Sequence, residues 1–368
     1  MKTREVATWA IRAFLRREPN SKSMMSREAA TWAIRFFLGR EPVSKDEIEF
    51  HRQHSNLGSM RQAFSLTTEF QGFMRSIRED KSYRVPLFLL DPPTAPNVPI
   101  RFSPPTLAQP VSQLCTQGQI LEPAYAYWCS ALDIVPHAHR KHWEFAYIVA
   151  AMDAAGVLLP GCRALAFGVG TEHTPSYLAS RGLTVVATDA PPDAIEGHGW
   201  ESTNQHAHEL SQVYYSKIVS QDLFNKFVSY RAVNMNNIPN DLRNFDVCWS
   251  SCCFEHLGSL KKGLDFVVNS LDTLKPGGIA IHTTEFNLSS NDDTLESPLL
   301  SIYRKCDIEG LLSRLVHAGH EVWPLNLHPG SGKVDEHIDL PPYALPHLKL
   351  EIGKYVCTSL GLIIRKRI

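Results

Sequence analysis

The sequence predicts an α/β fold in which a doubly wound, Rossmann-like sheet follows a small helical N-terminal region. The first observation is a short apolar run, residues 163–169, that passes through a glycine-containing turn and a helix-like stretch into a second apolar run, residues 183–189. The second is a strand–loop–helix–strand pattern over residues 244–287. Short apolar runs that alternate with helical segments are typical of parallel sheets with helices on both faces.

The composition and charge of the chain exclude several classes of protein. The chain has 368 residues, 43% hydrophobic and 20% charged, with a formal net charge of −1. A chain without excess positive charge has no general attraction for nucleic acid, so no nucleic-acid partner is expected. We find no run of transmembrane length and no secretory signal pattern, and we therefore expect a cytoplasmic protein. The eight cysteines are scattered without a CxxC pair, which favours reduced thiols.

The N-terminal region, residues 1–80, contains a duplicated helix. Residues 4–22 recur as residues 27–45, with apolar side chains at helical spacing before a proline. After the second copy, Ser44 is a predicted helix N-cap, with Glu47 completing a capping box. A further helix is expected through Met60 and Phe64 into Glu69-Phe70. The region is predicted to be a helical appendage.

Residues 81–124 are predicted to be a proline-rich linker laid over the next domain, because prolines disfavour both helices and sheet ladders. The domain itself is expected to span residues 125–368, with an amphipathic helix over residues 139–158 before the first strand.

The first glycine-rich turn predicts a nucleotide-type cofactor site. Gly168 and Gly170 permit a tight turn and close approach of a ligand to the backbone, and Asp189 ends the next strand, where an acid can bind ribose hydroxyls. A dinucleotide fingerprint requires a third glycine at the helix start, but Glu172 and His173 stand there. A carboxylate repels pyrophosphate and suits an ammonium group, which favours S-adenosylmethionine over NAD.

The pattern of residues 244–287, together with the glycine turn, resembles a known family. Residues 244–287 contain an apolar strand with Asp246 near its start, Glu255-His256 in a polar loop, an amphipathic helix, a predicted turn at Lys275-Pro-Gly-Gly278 and a further strand. With the glycine turn, this order resembles class I S-adenosylmethionine-dependent methyltransferases over residues 140–290. Several shorter segments, such as HWEFAYI (142–148), also resemble an uncharacterised bacterial group of that superfamily.

The resemblance implies a methyltransferase sheet, S-adenosylmethionine as cofactor and a set of binding positions. Asn234 or Asn236 is expected near the adenine amino group, with Met235 against the ring, while Ser250 and Ser251 line the methionine side. The expected cofactor-binding residues are Phe167, Gly168, Gly170, Glu172, Asp189, Asn234, Met235 and Ser250. The two final strands, in residues 306–325 and 355–366, are expected to form an antiparallel pair at one edge of the sheet.

Candidate catalytic residues follow the fourth and fifth strands. His256 is a candidate base for a hydroxyl acceptor, or else a helix cap or a partner of a backbone carbonyl. Glu285 is a candidate base or acceptor ligand, or else a structural hydrogen-bonding group. Trp143 and Glu144 either pack over the cofactor or seal the helix that carries them. Tyr343 and His347 are candidates for the acceptor pocket, because residues 326–352 form an insertion where acceptor specificity is expected.

No metal is expected. The group Cys248, Cys252 and Cys253 lacks a second half-site. Asp335, His337, Asp339 and His347 alternate like a solvated strand face rather than a ligand set.

Residues 37–74 resemble a small helical module of phycobilisome linkers, which also occurs beside bacterial glycan-modifying enzymes. The matching pieces are Leu38-Gly39-Arg40 with Pro42, and Thr68-Glu69-Phe70. The resemblance implies an assembly or targeting role, with a protein partner that binds residues 1–80.

Together these observations predict methyl transfer from S-adenosylmethionine to an oxygen or nitrogen of a small molecule or a surface saccharide. Two alternatives stay open. One is a non-catalytic S-adenosylmethionine-binding or assembly protein, and the other is an NAD-dependent oxidoreductase.

Overall fold

A computed structural model describes residues 26–27, 30–31, 33–34, 41–54, 62–64, 66–70, 82–191 and 209–368. The chain divides into two compact units, Met1–Lys81 and Ser82–Ile368. The first copy of the repeat, the Leu38-Gly39-Arg40 piece and Met60 lie outside the described residues.

In the first unit, helix α1 spans Lys45–His51 and begins at the predicted cap. The Ser44 hydroxyl accepts a hydrogen bond from the Glu47 amide at 3.1 Å. The Glu47 carboxylate accepts from the amide of Val43 at 2.7 Å. His51 is buried and stacks on Phe64, with 4.3 Å between ring centroids. The cap is therefore confirmed, and the aromatic pair covers the C-terminal end of the helix.

The second unit contains the sheet and the remaining helices. Its strands are β1 Ser112–Leu114, β2 Arg163–Phe167, β3 Thr184–Asp189, β4 Val228–Ala232, β5 Phe245–Ser251, β6 Leu274–Asn287, β7 Glu321–Val322, β8 Leu325–Asn326, β9 Leu350–Ile352 and β10 Tyr355–Arg365. Its α-helices are α2 Gln117–Ile120, α3 Pro123–Ala131, α4 Arg140–Ala154, α5 Thr174–Ser180, α6 Gln221–Phe227, α7 Leu260–Ser270, α8 Lys305–His317 and α9 Lys333–Glu336.

The strands form one sheet in the order β4-β3-β2-β5-β6-β10-β1-β8. The first five are parallel neighbours, and β10 joins β6 antiparallel. Helices α3, α4 and α5 cover one face through a buried cluster that includes Trp143 and Trp249. Helices α7 and α8 cover the other face through a cluster that includes Phe167 and Phe266. This layered arrangement confirms the predicted doubly wound α/β fold.

The proline-rich segment 81–124 contributes a strand. β1 pairs antiparallel with β10 and parallel with β8, and Leu114 is fully buried. Residues 111–115 contain no proline, so their backbone amides can join the ladder, unlike those of the preceding stretch.

Two further expectations need correction. The predicted turn Lys275-Pro-Gly-Gly278 lies within β6, where the register against β5 shifts and Gly277 adopts a φ of +74°. A bulge of this kind bends the strand without ending it. The expected antiparallel pair of final strands is present as β7 and β10, but β10 lies inside the sheet because β1 and β8 extend it.

Parallel strands place their carboxyl ends at one edge of a sheet. Here that edge, which we call the carboxyl edge, follows the ends of β2, β3, β4 and β5. None of the helices in the described part of the chain combines the length and hydrophobicity needed to cross a membrane.

Candidate active site

The glycine turn after β2 lies at the carboxyl edge and is fixed by Asp189. Gly168 and Gly170 have φ values of +60° and +49°, in the left-handed region that glycine adopts without strain. One Asp189 oxygen accepts a hydrogen bond from the Gly170 amide at 2.8 Å, and the other accepts from the Ala190 amide at 2.8 Å. The carboxylate thus joins the end of β3 to the turn, where the sequence predicted a cofactor.

Met235 and Cys253 close around the turn. A Cβ atom added to Gly168 would lie 2.8 Å from the Cys253 sulfur and 3.6 Å from the Met235 sulfur. The Cys253 thiol donates to the Phe167 carbonyl at 3.3 Å. The structure therefore brings the predicted Met235 to the glycine turn, and it adds Cys253, which the sequence did not single out for this place.

Three other predicted cofactor-binding residues differ in burial and in hydrogen-bond partners. The Phe167 side chain lies in the core, edge-on to Phe266 with 5.1 Å between centroids, so only its backbone faces the turn. Asn234 is exposed, and its side-chain oxygen accepts from the Asn236 amide at 2.9 Å. The Ser250 hydroxyl lies 2.8 Å from Nδ1 of His282, and both residues are buried.

Glu172 lies inside the protein, next to Trp249. The indole N–H donates to the Glu172 carboxyl at 2.9 Å, and the residue is 4% exposed. Burial raises the pKa of Glu172 to about 8, although the bond from Trp249 opposes the rise. The side chain is therefore largely protonated at neutral pH, which weakens the attraction for an ammonium group that the sequence suggested.

A buried ion-pair network occupies the start of α4. Glu144 is fully buried, 3.1 Å from Arg140 and 2.7 Å from Lys141, and it accepts from the hydroxyls of Ser251 and Ser359 at 3.0 and 2.5 Å. Burial alone would raise the pKa of Glu144, but Lys141 and Arg140 lower it to about 2. Sequence reasoning missed both cations, although spacings of three and four residues in RKHWE place them on one helix face with Glu144.

Glu285 and Glu255 face this network from β6 and from the short 3-10 helix Phe254–His256. Arg140 also pairs with one oxygen of Glu285. Glu255 accepts from the Thr284 hydroxyl at 3.1 Å. Burial raises the pKa of Glu285, against the effect of Arg140, and it raises the pKa of Glu255 to about 7. The sequence analysis named Glu255 in the polar loop but gave it no role.

His256 points elsewhere. Its Nδ1 lies 2.6 Å from the carbonyl oxygen of Leu299, and the residue is partly exposed. This is the backbone-bonding role that the sequence left open beside catalysis.

The acids and histidines of residues 333–350 form two buried hydrogen-bond networks and not the solvated face that the sequence predicted. Asp335 accepts from the amides of Gln117 and Gly332 at 2.8 and 3.0 Å. His347 Nδ1 lies 2.5 Å from Asp339. The expectation of a solvated face was wrong because these carboxylates bind backbone amides of an irregular segment, which alternation of residue types does not reveal.

The same segment lies against the start of α4. The Arg140 amide donates to the His347 carbonyl at 2.8 Å, and the His347 amide donates to Ala138 at 2.7 Å. Tyr343 packs on His347, with 5.2 Å between ring centroids. Both predicted pocket residues are thus next to Arg140, which binds Glu285.

Within the described ranges, one group of side chains has metal-ligand geometry. Ligand atoms of Cys252, Glu255 and Glu285 lie within 4.8 Å of one another. Cys248, which the sequence groups with Cys252 and Cys253, lies in the core with its thiol directed to the Ser270 carbonyl.

Comparisons with known proteins give one family. A family model described as a methyltransferase domain matches residues 165–282. No curated protein matches the chain.

Solved structures give remote similarities. A putative sarcosine dimethylglycine methyltransferase from Galdieria sulphuraria is 11% identical, over 62% of this chain and 84% of that one, with a TM-score of 0.34. Magnesium protoporphyrin IX methyltransferase from Synechocystis, solved with bound S-adenosylhomocysteine, is 11% identical over 61% and 83%, with a TM-score of 0.37. An O-methyltransferase family protein from Burkholderia thailandensis is 14% identical over 68% and 67%, with a TM-score of 0.32. These similarities are too remote to assign an acceptor.

Residues 165–282 thus match a methyltransferase domain, and this match indicates S-adenosylmethionine as the cofactor. The matched residues include the glycine turn, Asp189, Met235 and Cys253. Their chemistry fits this cofactor, because a bare-backbone turn beside the buried acid Asp189 suits a ligand that carries no phosphate.

Proposed function

We propose that this chain transfers a methyl group from S-adenosylmethionine to an oxygen or nitrogen atom of a small molecule or a surface saccharide. The observation that carries the proposal is the coincidence of the methyltransferase match with the turn that Asp189 fixes at the carboxyl edge. The saccharide is supported only by the resemblance of residues 37–74. The protein partner of residues 1–80 stays a prediction.

In this proposal the cofactor lies over Gly168 and Gly170, with Asp189 at the ribose and Met235 near the adenine. Asn234, the backbone at Phe167 and the segment around Ser250 complete the contacts, while Glu172 lies beneath them. When bound, S-adenosylmethionine supplies a methyl group on a positively charged sulfur. The chain's own residues position the acceptor, exclude water and hold the proton that the acceptor loses.

The acceptor site is proposed to lie at the ends of β5 and β6. Glu285 is held by Arg140 beside Glu255, and the Tyr343–His347 segment adjoins Arg140. Of the two catalytic candidates, Glu285 is proposed to contact the acceptor. His256 is proposed to position the loop that contains Leu299.

Production of S-adenosylhomocysteine tests this function. The full chain is incubated with S-adenosylmethionine and with separate extracts of small metabolites and surface saccharides. We expect Glu285→Gln to lower the rate by roughly tenfold or more, as for loss of one charge-assisted contact. We expect His256→Asn to change it by less than about threefold, the size of a minor structural effect.

Glu309→Gln is the matched control, because Glu309 is an equally buried carboxylate that binds Thr94 away from the site. A chain that binds S-adenosylhomocysteine but forms no product with any extract would contradict the proposed methyltransferase activity. It would favour the alternative of a non-catalytic binding protein.

A further inference from the structure

The two acids at the ends of β5 and β6 each leave one buried oxygen without a partner. Glu255 is fully buried and Glu285 is 3% exposed. In the described part of the chain, Oε1 of Glu255 and Oε2 of Glu285 accept no hydrogen bond. A buried carboxylate oxygen without a donor is unfavourable, so such atoms at a candidate site point to a ligand that supplies donors.

The two unpartnered oxygens belong to groups that one small ligand can reach together. A carboxylate oxygen of each residue lies within 4.8 Å of the other and of the Cys252 sulfur. A nitrogen placed between two such oxygens is within hydrogen-bonding distance of both. Because the oxygens belong to different residues, the ligand group must carry two donor hydrogens. An amino group has at least two, whereas a hydroxyl has one.

Local charge favours an organic cation over a metal ion. Arg140 and Lys141 face three carboxyl groups, those of Glu144, Glu255 and Glu285, so a single positive charge restores the balance when all three are ionised. The Arg140 guanidinium already pairs with Glu285 and lies 3.8 Å from the Cys252 sulfur. A divalent ion would stand beside this fixed charge, where repulsion is strong at low dielectric.

The acids are close both to solvent and to the cofactor turn. The side chains of Arg140 and Lys141 at the start of α4 are 14% and 35% exposed, and Arg140 touches Glu285 directly. Cys252, whose sulfur lies near both acids, is followed in sequence by Cys253, whose sulfur lies against Gly168. A group bound by Glu255 and Glu285 thus lies next to side chains that reach solvent, and next to a residue whose neighbour in sequence packs on the proposed cofactor turn.

We propose that Glu255 and Glu285 bind the amino group of the methyl acceptor, and that Glu255 takes the proton which this nitrogen loses. The inference rests on the proposed methyl transfer. Glu285 is fixed by Arg140 and orients the nitrogen, whereas no cation among the described residues pairs with Glu255. The charged and titratable groups around Glu255 are Lys141, Glu144, Arg140, Glu285, Cys252, Cys253 and Tyr303.

The step balances as a displacement. The ligand binds as an ammonium ion, and its proton passes to the Glu255 carboxylate, which frees the lone pair on nitrogen. The nitrogen then forms a bond to the methyl carbon while the bond between that carbon and sulfur breaks, and the electron pair of the broken bond stays on sulfur. The products are the methylated ammonium ion, the neutral thioether and a protonated Glu255.

The probe is methylamine, compared with methanol of the same size, added to the full chain with S-adenosylhomocysteine at about pH 8. Glutamate carboxyl ¹³C resonances are followed, and Glu255→Gln and Glu285→Gln assign the two signals. We expect methylamine to shift both signals saturably and methanol to shift neither. Glu255→Gln is expected to weaken methylamine binding roughly tenfold or more, as for loss of a charge-assisted bond. Glu309→Gln is expected to leave it unchanged.

Glu255→Asp, which keeps the charge, serves if the glutamine variant does not fold, and partial binding is then expected. Signals that stay unmoved by methylamine while S-adenosylhomocysteine binds would overturn this inference alone. Stoichiometric Zn²⁺ binding that Cys252→Ser abolishes would also overturn it, in favour of a metal site. Failure of S-adenosylhomocysteine to bind would instead contradict the proposed methyl transfer.

Discussion

Glu255 differs from Glu144 and Glu285 in having a raised pKa and, among the described residues, no cation paired with it. Burial brings its pKa to about 7, whereas Lys141 and Arg140 hold that of Glu144 at about 2. At neutral pH one carboxyl group of the network is thus ionised and the other is about half protonated, and a pKa near the working pH is what distinguishes a proton acceptor from a structural anion.

We predict that turnover depends on pH through Glu255. The ionised form of Glu255 accepts the proton, so kcat should rise as pH rises through about 7. Glu255→Gln should remove this limb and lower kcat at pH 8 by roughly 100-fold, the usual contribution of a general base. Initial rates from pH 5.5 to 9 measure it. An unchanged limb in the variant would assign the proton acceptor to another group.

At the scale of elements, the turn between β2 and α5 combines a left-handed backbone conformation, which strains any residue other than glycine, with close packing. Gly168 has a φ of +60°, and an added Cβ would lie 2.8 Å from the Cys253 sulfur. Gly156 has a φ of +73° but nothing within 4 Å of an added Cβ. The pair therefore separates the cost of the backbone conformation from the cost of the clash.

We predict that Gly156→Ala lowers the free energy of unfolding by roughly 1 kcal/mol through strain alone. Gly168→Ala should cost roughly 2–4 kcal/mol because overpacking adds to the strain. Adding Cys253→Gly to Gly168→Ala should recover part of the difference. Urea unfolding curves give all three values. Equal losses in the two alanine variants would show that Cys253 does not press on the turn.

Some features of the fold and the site could be predicted from the sequence, and others could not. The turn, Asp189 and the strands around them were predictable, because glycine positions and apolar runs encode local backbone geometry. The network of Arg140 with Glu144 and Glu285 was not, since it joins a helix start to a strand more than a hundred residues later. Strand β1 was missed for the same reason, as its partners β8 and β10 follow at the far end of the chain.

For the whole molecule, the raised pKa values of the buried acids link stability to pH. Glu172 has a pKa of about 8 and Glu255 about 7 in the folded chain, above the 4.5 of a free glutamate. The folded state therefore binds more protons than the unfolded state between pH 4.5 and 8. Stability is fully present below 4.5 and is lost as pH rises through these folded values.

We predict that the free energy of unfolding falls by roughly 2 kcal/mol from pH 6 to pH 8 through Glu172 alone. Glu172→Gln should remove that part of the slope, because the amide mimics the neutral acid without titrating. Urea denaturation at the two pH values measures it. A steeper decline in the variant than in the parent chain would contradict the buried, neutral state of Glu172.

We infer that the turn at Gly168 and Gly170 binds S-adenosylmethionine. Calorimetric titration of the full chain with S-adenosylhomocysteine, against NADH, tests it most directly. Asp189→Asn is compared with Asp246→Asn, since Asp246 also binds a backbone amide but lies at the start of β5. We predict binding of the thioether that Asp189→Asn weakens roughly tenfold and Asp246→Asn leaves intact. NADH binding without any S-adenosylhomocysteine binding would contradict the account and make the turn a dinucleotide site.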